Sequence, residues 1–394
     1  MPSRPVRVLI ACDHIDHDGA LHGGGRQLLE LIRALQNSPH VEFTVVILRP
    51  ATSLGRELVA EGVPLAFLGD HRYNPVSMLK LIRIIRDSRA DVLHLTDFGA
   101  DTWGRLAGAI TRTPAMVQVI THHGQSQPRG YPWQAALANR LLAPLTSRVL
   151  AISSSVKDFA VDHMGFERDA VEVLHYPMPE HSFSDPDPSD CEELRRSLGI
   201  ADNDPVIGAV TRFHEVKGIH HLVEAYAIVR KTHPDAWLLL VGKGPQEARL
   251  RARAEELGVS DRVVFAGFQR AVERFEALFT VSAVPSLEEG FGLVALESLR
   301  LGVPVVASDV GGLPDIVEHG KTGFLVPPAN PEALADALLQ VVGDPALHAS
   351  MRAAAPVSTA RFSLDEYAHQ LIRVYREMAQ LAPVPEVAGM AVSA

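Results

Sequence analysis

The chain has 394 residues, 47% of them hydrophobic and 21% charged, with a formal net charge of −10. That length leaves room for two or three domains with sizeable cores, and the acidic balance argues against a nucleic-acid partner. Two cysteines, Cys12 and Cys191, stand far apart and outside any CxxC spacing, which excludes a disulfide framework and a cysteine zinc site and fits a reducing compartment.

The first apolar run, VRVLIA (6–11), reads as a buried strand. It is too short for a secretory signal and lacks a cleavage pattern, and no segment approaches the length of apolar chain that spans a bilayer. A soluble cytoplasmic protein is expected. Next comes the loop CDHIDHDGALHGGG, followed by the helical pattern RQLLELIRAL (26–35). Gly23, Gly24 and Gly25 stand just before that helix. Bare N–H groups at a helix start can approach a phosphate, and the helix dipole favours its charge. The triplet is neither a GxGxxG nor a Walker loop, so a flexible loop is an equal reading. His14, Asp16, His17, Asp18 and His22 of the same loop match no standard metal-ligand spacing. Contact with a polar substrate is expected there, and no metal.

FTVVIL (43–48), DVLHLTD (91–97), MVQVITHH (116–123) and RVLAIS (148–153) continue as strands, separated by helical stretches such as VSMLKLIRIIRD (76–87) and WQAALANRLLAPL (133–145). The alternation predicts βαβ units and a parallel sheet. Lys80, Arg83, Arg86 and Arg89 recur at threes in segment 78–89, with Leu and Ile between. An ordinary crossover helix with a charged outer face is the plainer reading; weak peripheral contact with an anionic membrane is the other. Residues 1–176 carry a net +1 and the remainder −11, so the first half is the more basic.

The proline-rich segment PMPEHSFSDPDPSD (177–190) breaks the pattern and predicts a linker or long loop. The alternation then restarts with VIGAVTRF (206–213), AWLLLVG (236–242), RVVFAGF (262–268), VSAVPS (281–286), PVVAS (304–308) and GFLVPP (323–328). The expectation is an α/β protein of two Rossmann-like, doubly wound parallel-sheet domains, 1–180 and 181–363. A helix at 364–382 follows, and a disordered tail at 383–394.

Strand VIGAVTRF ends at Arg212, and Lys217 and Gly218 precede the next helix. Open α/β sheets bind ligands at the carboxyl ends of their strands, and a converging Arg and Lys there suit a diphosphate. By themselves the two cations read as ordinary surface residues. Strand VSAVPS leads into SLEEGFGLVALES (286–298), where Gly290 and Gly292 mark a turn and LVALESLRLG a helix. Glu289 then sits on the loop at the strand's end, and Glu297 lies inside the helix. Seven uncharged residues separate them, so neither has a local ion-pair partner, and both can face one ligand. The plain alternative is a capping acid and a solvated one.

In these motifs the chain resembles the retaining, GT-B-fold glycosyltransferases of family 4, the "glycosyl transferases group 1". The resemblance is carried by TRFHEVKG (211–218), VGKGPQ (241–246), VVFAGF (263–268), EEGFGLVALES (288–298) and GVPVVASDVGGLPDIVEHGKTGFLVPP (302–328), and more loosely by HGGGRQLLELIRAL, ADVLHL (90–95) and VITHHG (119–124). The family's two glutamates, seven residues apart, fall on Glu289 and Glu297.

The resemblance implies two domains facing across a cleft, the first on the acceptor side and the second holding a nucleotide-diphosphate sugar. The helix at 364–382 returns to the first domain. Arg212 and Lys217 would hold the donor diphosphate, helped by the N–H groups of Gly24 and Gly25. Glu297 would bond the ribose hydroxyls, Glu289 and His123 would meet the donor sugar, and the backbone of Gly290, Phe291, Gly292 and Leu293 would bind sugar and phosphate. The base would stack near Ala266 to Phe268. No cofactor and no metal is implied, and the acceptor stays open. Three rivals follow from the residues: a nucleotide-sugar epimerase on the same fold, a dinucleotide oxidoreductase, and a non-catalytic nucleotide-sugar-binding protein. The Glu pair and its flanking motif argue against the first. The second lacks GxGxxG with a following acidic residue.

Overall fold

The computed structural model describes residues 4–17, 20–21, 23–36, 38–69, 74–121, 133–179 and 183–383. Seven strands build a first parallel sheet: β1 (Val6–Cys12), β2 (Val41–Ile47), β3 (Leu65–Phe67), β4 (Val92–Thr96), β5 (Ala115–Ile120), β6 (Arg148–Ala151) and β7 (Val171–Val173), in the order β3-β2-β1-β4-β5-β6-β7. Helices cover both faces, which is why the strands read as continuous apolar runs rather than alternating ones. Along β1, Val8 and Ile10 join the cluster of helix Gly23–Gln36, whereas Leu9 and Ala11 join that of helices Val76–Ser88 and Phe98–Thr111.

A second parallel sheet holds β8 (Val206–Val210), β9 (Trp237–Val241), β10 (Val263–Gly267), β11 (Val281–Val284), β12 (Val305–Ser308) and β13 (Gly323–Val326), in the order β10-β9-β8-β11-β12-β13. Both sheets reverse direction beside their first strand. β1 pairs with β2 and β4, and β8 pairs with β9 and β11. Each lobe is therefore Rossmann-like, with its ligand crevice expected at that reversal.

Two features differ from the sequence reading. The edge strands β3 and β7 have three residues each, too few to show a periodicity. The segment expected as linker over 177–190 ends early, because the Asp187 carboxylate accepts from Ser189 N and starts helix Pro188–Ser197.

The chain crosses between lobes twice. It leaves the first sheet after β7 and returns through Ala360–Phe362 into helix Leu364–Met378, which Ser363 caps. That helix buries Leu364, Tyr367, Leu371 and Tyr375. The Tyr375 hydroxyl lies 2.6 Å from Nδ1 of His94 on β4, and Arg376 donates to the carbonyl of Arg4. Burial pulls His94 down to about 4, so its ring is neutral at pH 7. The two crossings touch: Met178 N donates to the Phe362 carbonyl at 2.7 Å. One apolar cluster spans both lobes, joining Ile152, Tyr176 and Met178 to Phe291, Leu296 and Leu313. Among the described residues no helix is long and apolar enough to cross a membrane.

Candidate active site

The reversal point of the second sheet opens onto a cavity of about 680 Å³ between the lobes. After β8 the chain passes Arg212, makes a short turn over Glu215–Lys217, and enters helix Ile219–Val229 through Gly218. Gly218 has φ +61°, and a Cβ there would lie 2.0 Å from the Pro285 carbonyl oxygen. Only glycine fits, and this close approach sets Lys217 beside the loop that follows β11. That loop enters helix Leu293–Arg300 through Gly292, at φ +113°.

Two helix N-termini face the cavity from opposite lobes. Gly23 and Gly24 begin helix Gly23–Gln36, Gly292 and Leu293 begin the other, and all four line the wall with Arg212, Lys217, Glu289, Gly290, Phe291 and Glu297. A Cβ on Gly23 would sit 3.5 Å from Leu293 Cδ1, so the two ends are neighbours. Aligned peptide dipoles at both ends favour an anion between them.

Both glutamates of the pair have an ion-pair partner distant in sequence. Lys217 Nζ donates to Glu289 Oε2 at 2.7 Å, and Ser286 Oγ donates to the same oxygen at 3.1 Å. Glu297 is only 1% exposed and pairs with Arg26 Nη2 of the first lobe at 2.8 Å. The capping-and-solvated alternative is thereby overturned. Burial raises Glu297 above the ordinary carboxylate range, and the Arg26 guanidinium partly offsets that. Glu276, fully buried nearby, is pushed well above it, first by burial and then by the Glu297 charge.

Other expected residues fall elsewhere. Gly25 is buried, and a Cβ there would meet the Ile15 carbonyl oxygen at 1.8 Å; it lets the helix pack on its own loop and is not part of the cavity wall. Phe268 is 55% exposed with Lys243 Nζ 5.6 Å from its ring centre, also off the wall. His123 and His22 lie outside the described residues. In helix Val76–Ser88, Lys80 donates to the Leu68 carbonyl and Arg83 lies 3.8 Å from Asp87, while Leu79 and Arg83 are exposed. Among the described residues no group of three or more His, Cys, Asp or Glu is placed to hold a metal ion.

The structure adds residues that spacing did not single out. Arg26 follows the glycine triplet directly. Across the cleft, Ser153 Oγ donates to the Gly290 carbonyl at 2.8 Å, fixing the turn between the two glutamates from the opposite lobe. Asp315 Oδ2 accepts from Ser154 N at 2.7 Å and lies 3.2 Å from His175 Nε2. Burial opposes the Asp315 charge, yet these bonds hold its carboxyl below the usual range. The His175 ring stacks on Phe291, with centres 5.9 Å apart.

Comparison with known proteins identifies the family. The family model for "Glycosyl transferases group 1" matches residues 190–358, and that for "Glycosyltransferase Family 4" matches residues 21–178. An uncharacterised glycosyltransferase of Methanocaldococcus jannaschii is 30% identical over 275 residues, covering 68% of this chain and 70% of that one. This chain belongs to the group 1 glycosyltransferases. Shorter matches join it to a D-inositol 3-phosphate glycosyltransferase of Corynebacterium urealyticum (40% identity; 48% of this chain, 46% of the other) and to an N-acetyl-alpha-D-glucosaminyl L-malate synthase of Bacillus anthracis (35%; 41% and 42%). The matches thus span less than half the length of those two curated relatives. In fold, this family member overlays HepE of Anabaena, solved with UDP and glucose, at TM-score 0.77 and 23% identity over 94% of this chain and all of the other.

Proposed function

We propose that the protein transfers a sugar, with retention at the anomeric carbon, from a nucleotide-diphosphate sugar to an acceptor bound against the first lobe. The observation that carries this reading is the meeting of Arg212, Lys217 and two helix N-termini on one wall with the glutamate pair. Those cations and dipoles stabilise the negative charge that grows on a departing diphosphate. Lys217 does so from beside Glu289, which bonds the hydroxyls of the donor sugar. Glu297 accepts from the ribose hydroxyls, and the base lies towards Ala266 to Phe268, the exposed ring of Phe268 closing over it. His123 is assigned to the donor sugar on the family resemblance alone.

Glu289 is bound to Lys217 and Ser286 and is not assigned as a nucleophile. Retention is assigned to front-face substitution. The bond from the anomeric carbon to the leaving phosphate breaks as the acceptor oxygen bonds on the same face, and a phosphate oxygen takes the acceptor proton. No metal is assigned, since Arg212, Lys217 and the helix ends supply the positive field. Family relatives and a neighbour named for transfer to inositol phosphate or malate, or solved with UDP and glucose, support a nucleotide-sugar donor. We place the reaction in the cytoplasm, in keeping with two unbridged cysteines.

The test is calorimetric binding of the full chain, in EDTA, to UDP, GDP, ADP, their sugar conjugates and NAD(H), then proton NMR of the product's anomeric signal. One nucleoside diphosphate and its sugar should bind, and the product should keep the donor's anomeric configuration. Binding of NAD(H) alone, or inversion of the anomer, would overturn the reading.

A further inference from the structure

Two cations on the cavity wall are each held by one member of the glutamate pair: Lys217 by Glu289 and Arg26 by Glu297. Among the described residues Arg212, on the same wall, has no ion-pair partner. The pairs differ in one respect. Lys217 and Glu289 belong to one lobe, whereas Arg26 comes from the first helix and crosses the cleft to Glu297 of the second.

We propose that Arg26 changes partner when the nucleotide binds: the ribose hydroxyls take its place on Glu297, and its guanidinium turns to the diphosphate as a third cation. This rests on the donor reading above. Four observations support it. Arg26 and Glu297 both line the cavity, so the guanidinium already stands at the edge of the space a nucleotide would fill. Arg26 lies one turn inside the helix whose first residues, Gly23 and Gly24, face the same space, so its reach overlaps theirs. A guanidinium fork bonds phosphate oxygens in pairs and is weakly hydrated, which suits a site where it must leave one anion for another.

The fourth observation is Glu276. It is fully buried, and among the described residues neither of its carboxyl oxygens has a hydrogen-bond partner. Arg26, Glu273 and Glu297 are the charged groups that act on it. Burial, and then the Glu297 charge, oppose its ionisation. Arg26 is the one cation among those groups, so a ligand that draws it away must itself satisfy the Glu297 carboxyl, as ribose hydroxyls can.

A ligand series separates this role from a purely structural one. Calorimetry of the full chain would compare uridine, UMP and UDP (or the guanosine or adenosine series, whichever diphosphate the wild type binds) in wild type, Arg26→Met and Arg26→Lys. Arg26→Met should weaken the diphosphate by about tenfold to a hundredfold, the size of a lost charge-assisted bond. It should move the bare nucleoside by less than about threefold, within the variation of a single weak contact. Arg26→Lys should keep most of the diphosphate affinity. Equal losses for nucleoside, monophosphate and diphosphate would overturn the proposal, because Arg26 would then act only through Glu297.

If Arg26→Met does not fold, Glu297→Gln answers the same question. It releases Arg26, so nucleoside affinity should fall while the ratio of diphosphate to nucleoside affinity holds or rises; a fall in that ratio would overturn the exchange. A wild type that binds none of the diphosphates refutes the donor reading instead, which keeps the two failures apart.

Discussion

The two lobes share one strand order but treat the reversal point of the sheet differently. In the second lobe the space between the ends of β8 and β11 is open, and charged side chains stand on its wall. In the first lobe the same place, between β1 and β4, is filled by the lobe's own carboxylates. Asp13 accepts from Gly99 N and Ala100 N, and Asp97 accepts from Asp13 N. Asp101 is bonded by Arg105 and Gln118, and Arg105 also reaches Asn139. Asp97 has φ +68° and ψ 156°, a region ordinarily left to glycine, which costs of the order of 1–3 kcal/mol. Burial, then the Asp13 charge, pushes Asp97 up to about 7; burial does the same to Asp101 against the pull of Arg105. One topology therefore supports a ligand crevice in one copy and a packed polar core in the other, so the fold alone does not say which.

That contrast can be broken by experiment. The largest effect belongs to the second lobe: Lys217→Ala should lower kcat by roughly a hundredfold to a thousandfold, the scale of losing one preorganised charge-stabilising group. Its melting temperature should stay near that of the wild type, and a collapse in stability would mean the wall charges are structural after all. In the first lobe the expectation inverts. Arg105→Met leaves Asp101 uncompensated in the core and should cost about 3–5 kcal/mol in urea unfolding; a loss under about 1 kcal/mol would dissolve the distinction.

A pH series gives a smaller signal. Asp97 is an acid whose folded pKa lies above its unfolded value near 3.8. The folded state thus holds the extra proton between the two values, and stability from this group is present at low pH and declines as pH rises to about 7. His94, pulled down to about 4, drives the opposite trend in wild type. Melting wild type and Asp97→Asn side by side cancels His94, and the difference should move in favour of the variant as pH rises from 4 to 7 and then level off. A flat difference would mean that Asp97 is charged throughout. The smallest effect expected is none: turnover in EDTA should match turnover in magnesium, and a collapse would return a metal to the loop around His14.

How much of this the sequence disclosed follows from the same contrast. The second lobe's ligand loops are contiguous, 211–218 and 286–298, so glycines, cations and carboxylates appear together in one line of text. The two parallel sheets were also legible, as regular βαβ alternation, whereas the order of their strands came from the structure. The Arg26–Glu297 pair was illegible because its halves lie on the first helix and on one near residue 300. The carboxylates around Asp97 were passed over because sequence records a charge and not its burial, and Asp13, Asp97 and Asp101 look like loop acids until β1 and β4 are laid side by side. The absence of charge between Glu289 and Glu297 was visible from the start; what it signified, two partners supplied from elsewhere, needed coordinates.

The bond between Met178 and Phe362 has a mechanical consequence. Where a single strap joins two bodies, they can swing, twist and slide. Here two straps lie side by side and are tied to each other, so twisting one lobe against the other would shear that tie, while opening the cleft about the line of the straps would leave it intact. Opening would instead have to break the bonds that span the cleft, Ser153 to Gly290 and Arg26 to Glu297 among them, so those contacts and the paired straps together set its width.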